Sequence, residues 1–542
     1  MLKGTIHSRR ASCVFLLFLA MCSVLIVRLY DIALYDNTSK QVLSGQYTRK
    51  NVVAQKTGLI YDTQGKLISH KIAGAVAVVN PASCRDKNSA AQYIGKYSSL
   101  SFEEILTKIS IPEPFTVTFN EVPETESPEG IYVYPAFEEM ANNFCRHLLG
   151  YKDSDGRGVD GVYGKFDSII STFSGTLFYS YASDAQGRVL GGEDFFVTDS
   201  GYTDASGLVL TIDSHLQRGI DNLCDKYMDM GAVVVCEIDT GNILALSSRP
   251  LYEAENVENV LDSDRGELIN RAFSLYTPGS VFKTAVAAAA LETDPLLLNF
   301  EYECTGECDV SGKIFKCHET HGHGKQSMPE AYANSCNTYF IRLAQEIGIG
   351  QICAFTEKIG IGEINPLDGM SVKKANMPEQ FKKYPPAYLA NFSFGQGEIM
   401  TSPVDILNLF CVCSSGKKID FSLAKGIYNS YTEEMTYFTS GKAQRVLSED
   451  TVESLCSMMK LCVTNGTGKS AMSDAVSVGG KTATAQSGQY DIGGNELLHR
   501  WFAGVFPIEN PKYAAVVLYD GNGKNSSSPA EFFSKIAELM YN

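Results

Sequence analysis

The chain of 542 residues has no surplus of basic side chains, no internal repeat, no low-complexity tract and only one long apolar run. Its 46 Lys and Arg are outnumbered by 62 Asp and Glu, and the net charge of -16 opposes non-specific binding to nucleic acid or anionic lipid. Without repeats or low-complexity text, and with 44% hydrophobic residues, the remaining description is globular, in two or three domains. A disulfide-dense scaffold is excluded as well. Such scaffolds are short and their cysteines pair, whereas this chain is long and carries 15.

The single apolar run extends from Ala11 to Val27, without a charge, behind Lys3, Arg9 and Arg10 and ahead of Arg28. It is longer than the core of a usual signal peptide and just reaches the span of a membrane helix. No small-x-small cleavage site follows it cleanly. The basic flank is N-terminal, so the charge bias keeps residues 1–10 in the cytoplasm and sends the rest outside. The expectation is an uncleaved single-pass anchor over residues 11–29. Cys13 and Cys22 fall in the span, which leaves an odd number of cysteines outside it; these read as buried small hydrophobes.

What is present centres on Tyr276-Thr277-Pro278-Gly279-Ser280-Val281-Phe282-Lys283-Thr284, followed by an alanine-rich run to Ala290. Alanine is the best helix former, and Pro278-Gly279 punctuates the start, so Ser280 is expected at the first turn of a helix. Unsatisfied N–H groups there favour negative charge developing on the serine. Lys283 lies three residues on, on the same face. A neutral lysine in a dry pocket can take the proton that makes a serine nucleophilic. By itself the spacing S-x-x-K also describes an N-cap serine beside an exposed lysine.

Earlier in the chain, Lys56 to Ile68 reads as strand, Gln-Gly turn, strand, and Ala75 to Val79 as another strand. A short helix is expected near Phe102 to Ile109. Glu193-Asp194-Phe195-Phe196 superficially resembles a peptidoglycan glycosyltransferase motif. Val197 and Ser200 stand where that motif needs other residues, and residues 30–205 read as a non-catalytic pedestal. From Leu208 the character changes. Leu208 to Asp213 is a strand running into an N-cap, with a helix to about Met230. Ala232 to Ile238 and Ile243 to Ser248 form a hairpin around Asp239-Thr240-Gly241-Asn242. Ser477 to Gln486 is a further strand, Arg500 to Phe506 and Tyr513 to Asp520 a second hairpin, and Pro529 opens a helix with Phe533, Ile536, Ala537 and Met540 on one face. The class is α+β, an antiparallel sheet covered by helices.

Two further motifs follow Ser280: Ser335-Cys336-Asn337, then Lys481-Thr482-Ala483-Thr484 behind Gly479-Gly480. In this order, with "NRAFSLYTPGSVFKT", "SCNTYF", "FGQGEIMTSP" and "WFAGVFP" around them, the three resemble the S-x-x-K, S-x-N and K-T-G signatures of class B, monofunctional penicillin-binding proteins. The likeness covers about Leu208 to the end, and more loosely His147 to Gly164 and the anchor.

The resemblance implies an antiparallel five-stranded sheet flanked by helices over residues 206–542. Behind the anchor it implies an elongated, mostly-β pedestal of a dimerisation-like type over residues 30–205. The implied activity is peptidoglycan D,D-transpeptidation, without a cofactor. Ser280 would attack the penultimate D-alanine of a stem peptide, with Lys283 as base. Ser335 would relay a proton to the leaving amine, and Asn337 would hold substrate or Lys283. Lys481 would supply positive charge, Thr482 a hydroxyl, and the backbone N–H groups of Ser280 and Thr484 an oxyanion hole. β-Lactams would trap Ser280. A multi-spanning glycan polymerase of the SEDS type is the implied partner, and the family serves elongation, division and sporulation. No PASTA-like extension is expected after the closing helix.

Two other functions use the same residues: a serine β-lactamase or β-lactam sensor, and an inactive scaffold recruiting wall-building partners. The scaffold is motivated by Ala483, which replaces the family's glycine and could narrow the site. Finally, Cys304, Cys308, Cys317, His318, His321 and His323 have metal-ligand spacing. Here they read as buried thiols and a histidine-bearing loop, with no metal. A bond from Cys336 to Cys304 or Cys317 would distort the S-x-N motif, which makes thiol-dependent activity a hypothesis.

Overall fold

A computed structural model describes residues 3–34, 48–140, 144–184, 186, 189–190, 195–362, 367–439, 441–491, 493–521 and 523–541. The N-terminal helix runs Lys3–Leu34, and within it Ala11–Asp31 is long and apolar enough to cross a membrane. Its apolar side chains, Leu16 and Phe18 among them, are exposed, as a lipid-facing helix requires. Glu193 and Asp194 lie outside the described residues.

Beyond this helix the chain forms two compact units. The first comprises residues up to Lys56, Ile72–Glu138 and Ser174–Asp204. It contains an antiparallel sheet of Thr48–Lys56, Gly175–Ala182 and Phe196–Ser200, and a second sheet in which the strand ending at Val79 lies between Phe115–Phe119 and the strand beginning at Ile131. Helices Lys87–Tyr97 and Phe102–Ser110 bury Ile94, Ile105 and Ile109 against Ala77, Val79 and Phe119 of that sheet. The short helix expected near Phe102 is present because Ser101 and Glu104 close a reciprocal capping box.

The second unit holds Thr57–Lys71, Glu139–Phe173 and Ala205–Asn542. Two segments ahead of residue 206 therefore belong to it. Leu59–Tyr61 explains one of them: it pairs in parallel with Gly207–Leu210, at the edge of a four-stranded sheet with Ala424–Asn429 and Glu434–Tyr437. The second strand expected before Ile68 is reduced to a bridge between Tyr61 and Leu67. The Asp62 carboxylate accepts the N–H groups of Gln64 and Lys66, holding these residues as a tight turn instead of a ladder.

The principal sheet has five antiparallel strands: β1 (Gly231–Glu237), β2 (Ile243–Arg249), β3 (Gly479–Tyr490), β4 (Glu496–Phe506) and β5 (Tyr513–Tyr519), in the order β2-β1-β5-β4-β3. Both expected hairpins are here, joined by the antiparallel pairing of β1 with β5, and β3 adds a fourth, with Lys481 opposite Ala503. One face of the sheet packs on helices Ser214–Tyr227 and Pro529–Tyr541 through Ile220, Phe533 and Ile536 against Val233, Phe502 and Val517. The other packs on Lys283–Thr293 and Pro403–Ser415.

The helix Lys283–Thr293 is buried from Lys283 to Leu291. Its alanines serve packing as well as propensity: small side chains let neighbouring elements approach the helix closely on every side. It is thereby fixed, and with it the residues that precede it.

A buried ion pair joins the approach to that helix to the sheet. Arg271 Nε donates to Asp520 Oδ2 at 3.0 Å, and its terminal nitrogens donate to the carbonyls of Gly266 and Arg265. Arg271→Ala leaves Asp520 without this partner and is expected to cost about 3–5 kcal/mol, measured as a lowered midpoint in thermal or denaturant unfolding.

Candidate active site

Ser280 lies in a single 3-10 turn, Gly279–Phe282, and the α-helix begins only at Lys283. The sequence predicts a helix from Ser280. The turn is tighter because Gly279 is pinned from outside: its φ is +58° and its N–H donates to the Gly395 carbonyl at 2.9 Å. A side chain on Gly395 would run into the Gly279 carbonyl at 2.1 Å, so only glycine at position 395 allows this approach. In a 3-10 turn residues i and i+3 eclipse, which sets Ser280 and Lys283 one above the other.

Lys283 is fully buried. Its Nζ donates to the Ser335 carbonyl at 2.6 Å, to Asn337 Oδ1 at 2.8 Å and to Ser335 Oγ at 3.3 Å, and it lies 5.6 Å from the centre of the Phe340 ring. Burial, and then the charge of Lys481, lower its pKa to about 7 from the usual 10.5, against an opposing influence of the Cys336 and Cys317 thiols. As a neutral amine it has two hydrogens for the two carbonyl oxygens, and its lone pair is left for a hydroxyl.

Ser335 has φ +58°, a left-handed conformation that costs a non-glycine residue about 1–3 kcal/mol. Two backbone bonds hold it: Ser335 N–H to the Tyr332 carbonyl at 3.1 Å and Cys336 N–H to Ala331 at 2.9 Å. That conformation is what turns both its carbonyl and its hydroxyl toward Lys283. Cys336 is the N-cap of helix Asn337–Ile347, and Asn337 Nδ2 donates across to the Lys316 carbonyl at 3.4 Å.

The third motif lies on β3, an edge strand. Lys481 is fully buried, donates to the Thr482 carbonyl at 3.2 Å and lies 5.7 Å from the Tyr332 ring centre; burial lowers its pKa. The Thr482 hydroxyl meets that of Thr467 at 2.7 Å, and Thr484 is exposed at the cleft. Ala483 is only 6% exposed, and its Cβ lies 3.3 Å from where a side chain on Gly279 would begin. With Ala485, whose Cβ is nearer still at 3.0 Å, it packs into the space that Gly279 leaves, and Ala483 also lines the cleft.

Ser280, Ser335, Asn337, Thr482 and Thr484 line one cleft of about 760 Å3. Lys313, Lys316 and Arg500 also line it, and among the described residues no Asp or Glu does. In a chain of net charge -16 this is a local positive field, suited to a carboxylate. Trp501, the only tryptophan of the chain, closes one wall and donates from its indole nitrogen to the Thr277 carbonyl at 3.1 Å.

The sequence reading omits Tyr332, Phe340, Thr467 and Lys316. They act across the fold on residues of other motifs, and only Asn465-Gly466-Thr467-Gly468, a turn-forming string, carries a local signal. Of the six candidate metal ligands, Cys304, Cys317 and His323 come together, joined by Cys336. Cys308 packs instead with Val310, Phe315 and Ile341, and His321 is exposed.

A family model, the penicillin-binding protein transpeptidase domain, matches residues 231–538, and the chain belongs to this family. It is 27% identical over 489 residues to the stage V sporulation protein D of Bacillus subtilis, covering 85% of this chain and 74% of that protein. It is 23% identical over 616 positions to the peptidoglycan D,D-transpeptidase MrdA of Haemophilus influenzae, covering 100% and 92%. Among solved structures, one of a peptidoglycan synthase complex that coordinates polymerization and crosslinking superposes with a TM-score of 0.69 at 19% identity, over 98% of both chains. The D,D-transpeptidase domain of a peptidoglycan glycosyltransferase from Eggerthella lenta gives 0.64 at 18%, over 90% of this chain and 98% of that one. These two carry the fold.

The packing of Ala483 on Gly279 is open to a direct test. Ala483→Gly removes a buried methyl and loosens an edge strand, with an expected loss of about 1–2 kcal/mol, seen as a lower melting temperature of the purified protein.

Proposed function

We propose that this chain is a membrane-anchored peptidoglycan D,D-transpeptidase acting through a Ser280 acyl-enzyme. The observation that carries the reading is the buried Lys283 amine held by Ser335 and Asn337, one turn after Ser280, whose carbonyl accepts the Lys283 backbone N–H. Lys283 takes the Ser280 proton as Oγ attacks the penultimate D-alanine carbonyl of a stem peptide. The N–H groups of Ser280 and Thr484 receive the oxyanion. As the C–N bond breaks, the Ser335 hydroxyl passes a proton to the departing amine of the terminal D-alanine. An amine from a neighbouring stem then attacks the acyl-enzyme, its proton returns through the same residues, and the cross-link forms with Ser280 regenerated.

Thr482 and the basic wall bind the terminal carboxylate of the stem peptide, Lys481 supplies positive charge from its buried position, and Asn337 keeps Lys283 oriented. A β-lactam enters as a mimic of the D-Ala-D-Ala end and stays bound to Ser280. The rival scaffold reading rests on Ala483, whose methyl is buried beside Gly279.

The helix around Ala11–Asp31 fits a single-pass anchor. Residues 1–10 are assigned to the cytoplasm from their basic flank, and everything after the helix to the exterior. Residues 30–205, apart from Thr57–Lys71 and Glu139–Phe173, which fold with the second unit, act as a non-catalytic pedestal, and a glycan polymerase of the SEDS type is the partner that would supply the strands to be joined.

Incubation of the purified protein with a penicillin is expected to add one drug mass, mapped to the peptide bearing Ser280, and Ser280→Ala to abolish it. An adduct at another side chain, or none in a folded sample, would overturn the mechanism. The base must be uncharged to act. Acylation should therefore rise by about tenfold per pH unit below the Lys283 pKa of about 7 and level off above it, measured as the pseudo-first-order rate of fluorescent penicillin labelling. A rate independent of pH from 5 to about 9 would exclude Lys283 as the base.

A further inference from the structure

We propose that Cys304, Cys317, His323 and Cys336 form a Zn²⁺ site that holds the S-x-N turn against the wall of the cleft. The ligand atoms of these four all lie within 4.8 Å of one another, with the three cysteines buried and the histidine half-buried. A tetrahedral zinc with bonds of about 2.3 Å to sulfur and about 2.0–2.1 Å to nitrogen sets S···S near 3.8 Å and S···N near 3.6 Å. Cys317 Sγ lies 3.9 Å from Cys336 Sγ and 3.6 Å from His323 Nδ1. These two separations match the spacing a shared metal imposes, and the remaining ones lie within 4.8 Å. Three thiolates and one imidazole are a closed structural set, without a position for water.

The backbone is shaped to bring them there. Cys304 ends a strand, Tyr302–Cys304, that pairs with Gly324–Gln326 directly after His323, and Cys304 lies opposite Gly324. Cys317 follows the hairpin Glu307–Val310 with Lys313–Lys316, and its N–H donates to the Gly306 carbonyl at 2.8 Å. Two glycines let the two loops touch. A Cβ on Gly306 would meet the Thr320 carbonyl at 2.2 Å, and one on Gly322 would meet the Cys304 carbonyl at 2.1 Å; both have positive φ. Cys336 alone comes from elsewhere, as the middle residue of Ser335-Cys336-Asn337. Thr338 Oγ1 lies 3.4 Å from its sulfur, a hydroxyl that can donate to a metal-bound thiolate.

Proximity of thiols in a core is not enough by itself. Cys236 and Cys411 also approach, to 3.2 Å, but they lie among aliphatic side chains and belong to no cluster of three ligands among the described residues. At Cys336 a metal would do something specific. The loops that carry the other three ligands continue into Lys313–Lys316, which lines the cleft, and Lys316 accepts from Asn337. Zinc would tie that wall to the motif that holds Lys283.

The full-length protein, purified in detergent without chelator, is expected to contain about one zinc per chain by elemental mass spectrometry. Cys304→Ser and His323→Ala should each weaken retention by more than about 100-fold, beyond the 10–100-fold of an outer-shell partner. Cys308→Ser and His321→Ala, at positions outside the cluster, should keep the metal. Reconstitution with Co²⁺ should produce a thiolate-to-metal absorption band that Cys304→Ser reduces. Folded wild type with no bound metal, or with a Cys317–Cys336 disulfide found by peptide mapping in its place, would overturn the site. So would full zinc retention in the Cys304→Ser/His323→Ala double variant. If Cys304→Ser fails to fold, the wild-type metal count and the half-buried His323→Ala still decide. None of these readings depends on cross-linking activity, so they stand or fall apart from the proposed function.

Discussion

An ammonium group buried without a counter-ion is among the least tolerable things a protein interior can contain, and at Lys283 burial and the charge of Lys481 favour the neutral amine while two carbonyl oxygens accept its hydrogens. The move of its pKa from 10.5 to about 7 corresponds to roughly 5 kcal/mol against the charged form. Bonds to Ser335 and Asn337 offset part of what remains and leave the amine oriented. This constraint reaches outward. The Ser335 carbonyl can point at Lys283 only from a left-handed φ, and that φ is held by backbone bonds to Tyr332 and Ala331. On the other side, the eclipse of Ser280 over Lys283 needs the tight turn that Gly279 and Gly395 make together. Three separated parts of the chain meet because one nitrogen has to be dry and still satisfied.

The cleft is asymmetric in what builds it. One wall is β3, an edge strand of a large sheet, stiffened by pairing with β4 and by the methyl of Ala483 on Gly279. The opposite wall, Lys313–Lys316, belongs to one small two-stranded hairpin with Glu307–Val310, packed in a small cluster of Cys308, Val310, Phe315, Ile341 and Ala390. Isolated hairpins of that size are marginal in water. A metal among Cys304, Cys317, His323 and Cys336 would supply the rigidity that packing does not.

Much of the principal sheet is legible in the sequence because the cues are local. Asp239-Thr240-Gly241-Asn242 marks one hairpin, and continuous apolar runs such as Ala232 to Cys236 mark strands buried on both faces. The alanine run is legible as a helix for the same reason. The onset of that helix is not, since it is decided by Gly395, more than a hundred residues later. Likewise nothing near Leu59 announces a parallel partner at Gly207–Leu210, and Asp62 turns the expected second strand into a loop. Within the candidate site the S-x-x-K, S-x-N and K-T-x spacings single out the residues that meet in the cleft. The aromatic rings under the two lysines, and the thiol that links Cys336 to a distant loop, are tertiary facts with no periodicity to reveal them.

Because Thr57–Lys71 and Glu139–Phe173 fold with residues from Ala205 onward, the polypeptide passes back and forth between its two units before either sequence span is finished. During synthesis the first unit has all its residues once Asp204 has emerged, while the strand Leu59–Tyr61 must wait, unpaired, for Gly207–Leu210. The central sheet waits longer still, until Tyr519 has been made. The catalytic half of such a molecule is completed in instalments, with open strand edges that a nascent chain must keep from false partners until the strand ending at Tyr519 arrives.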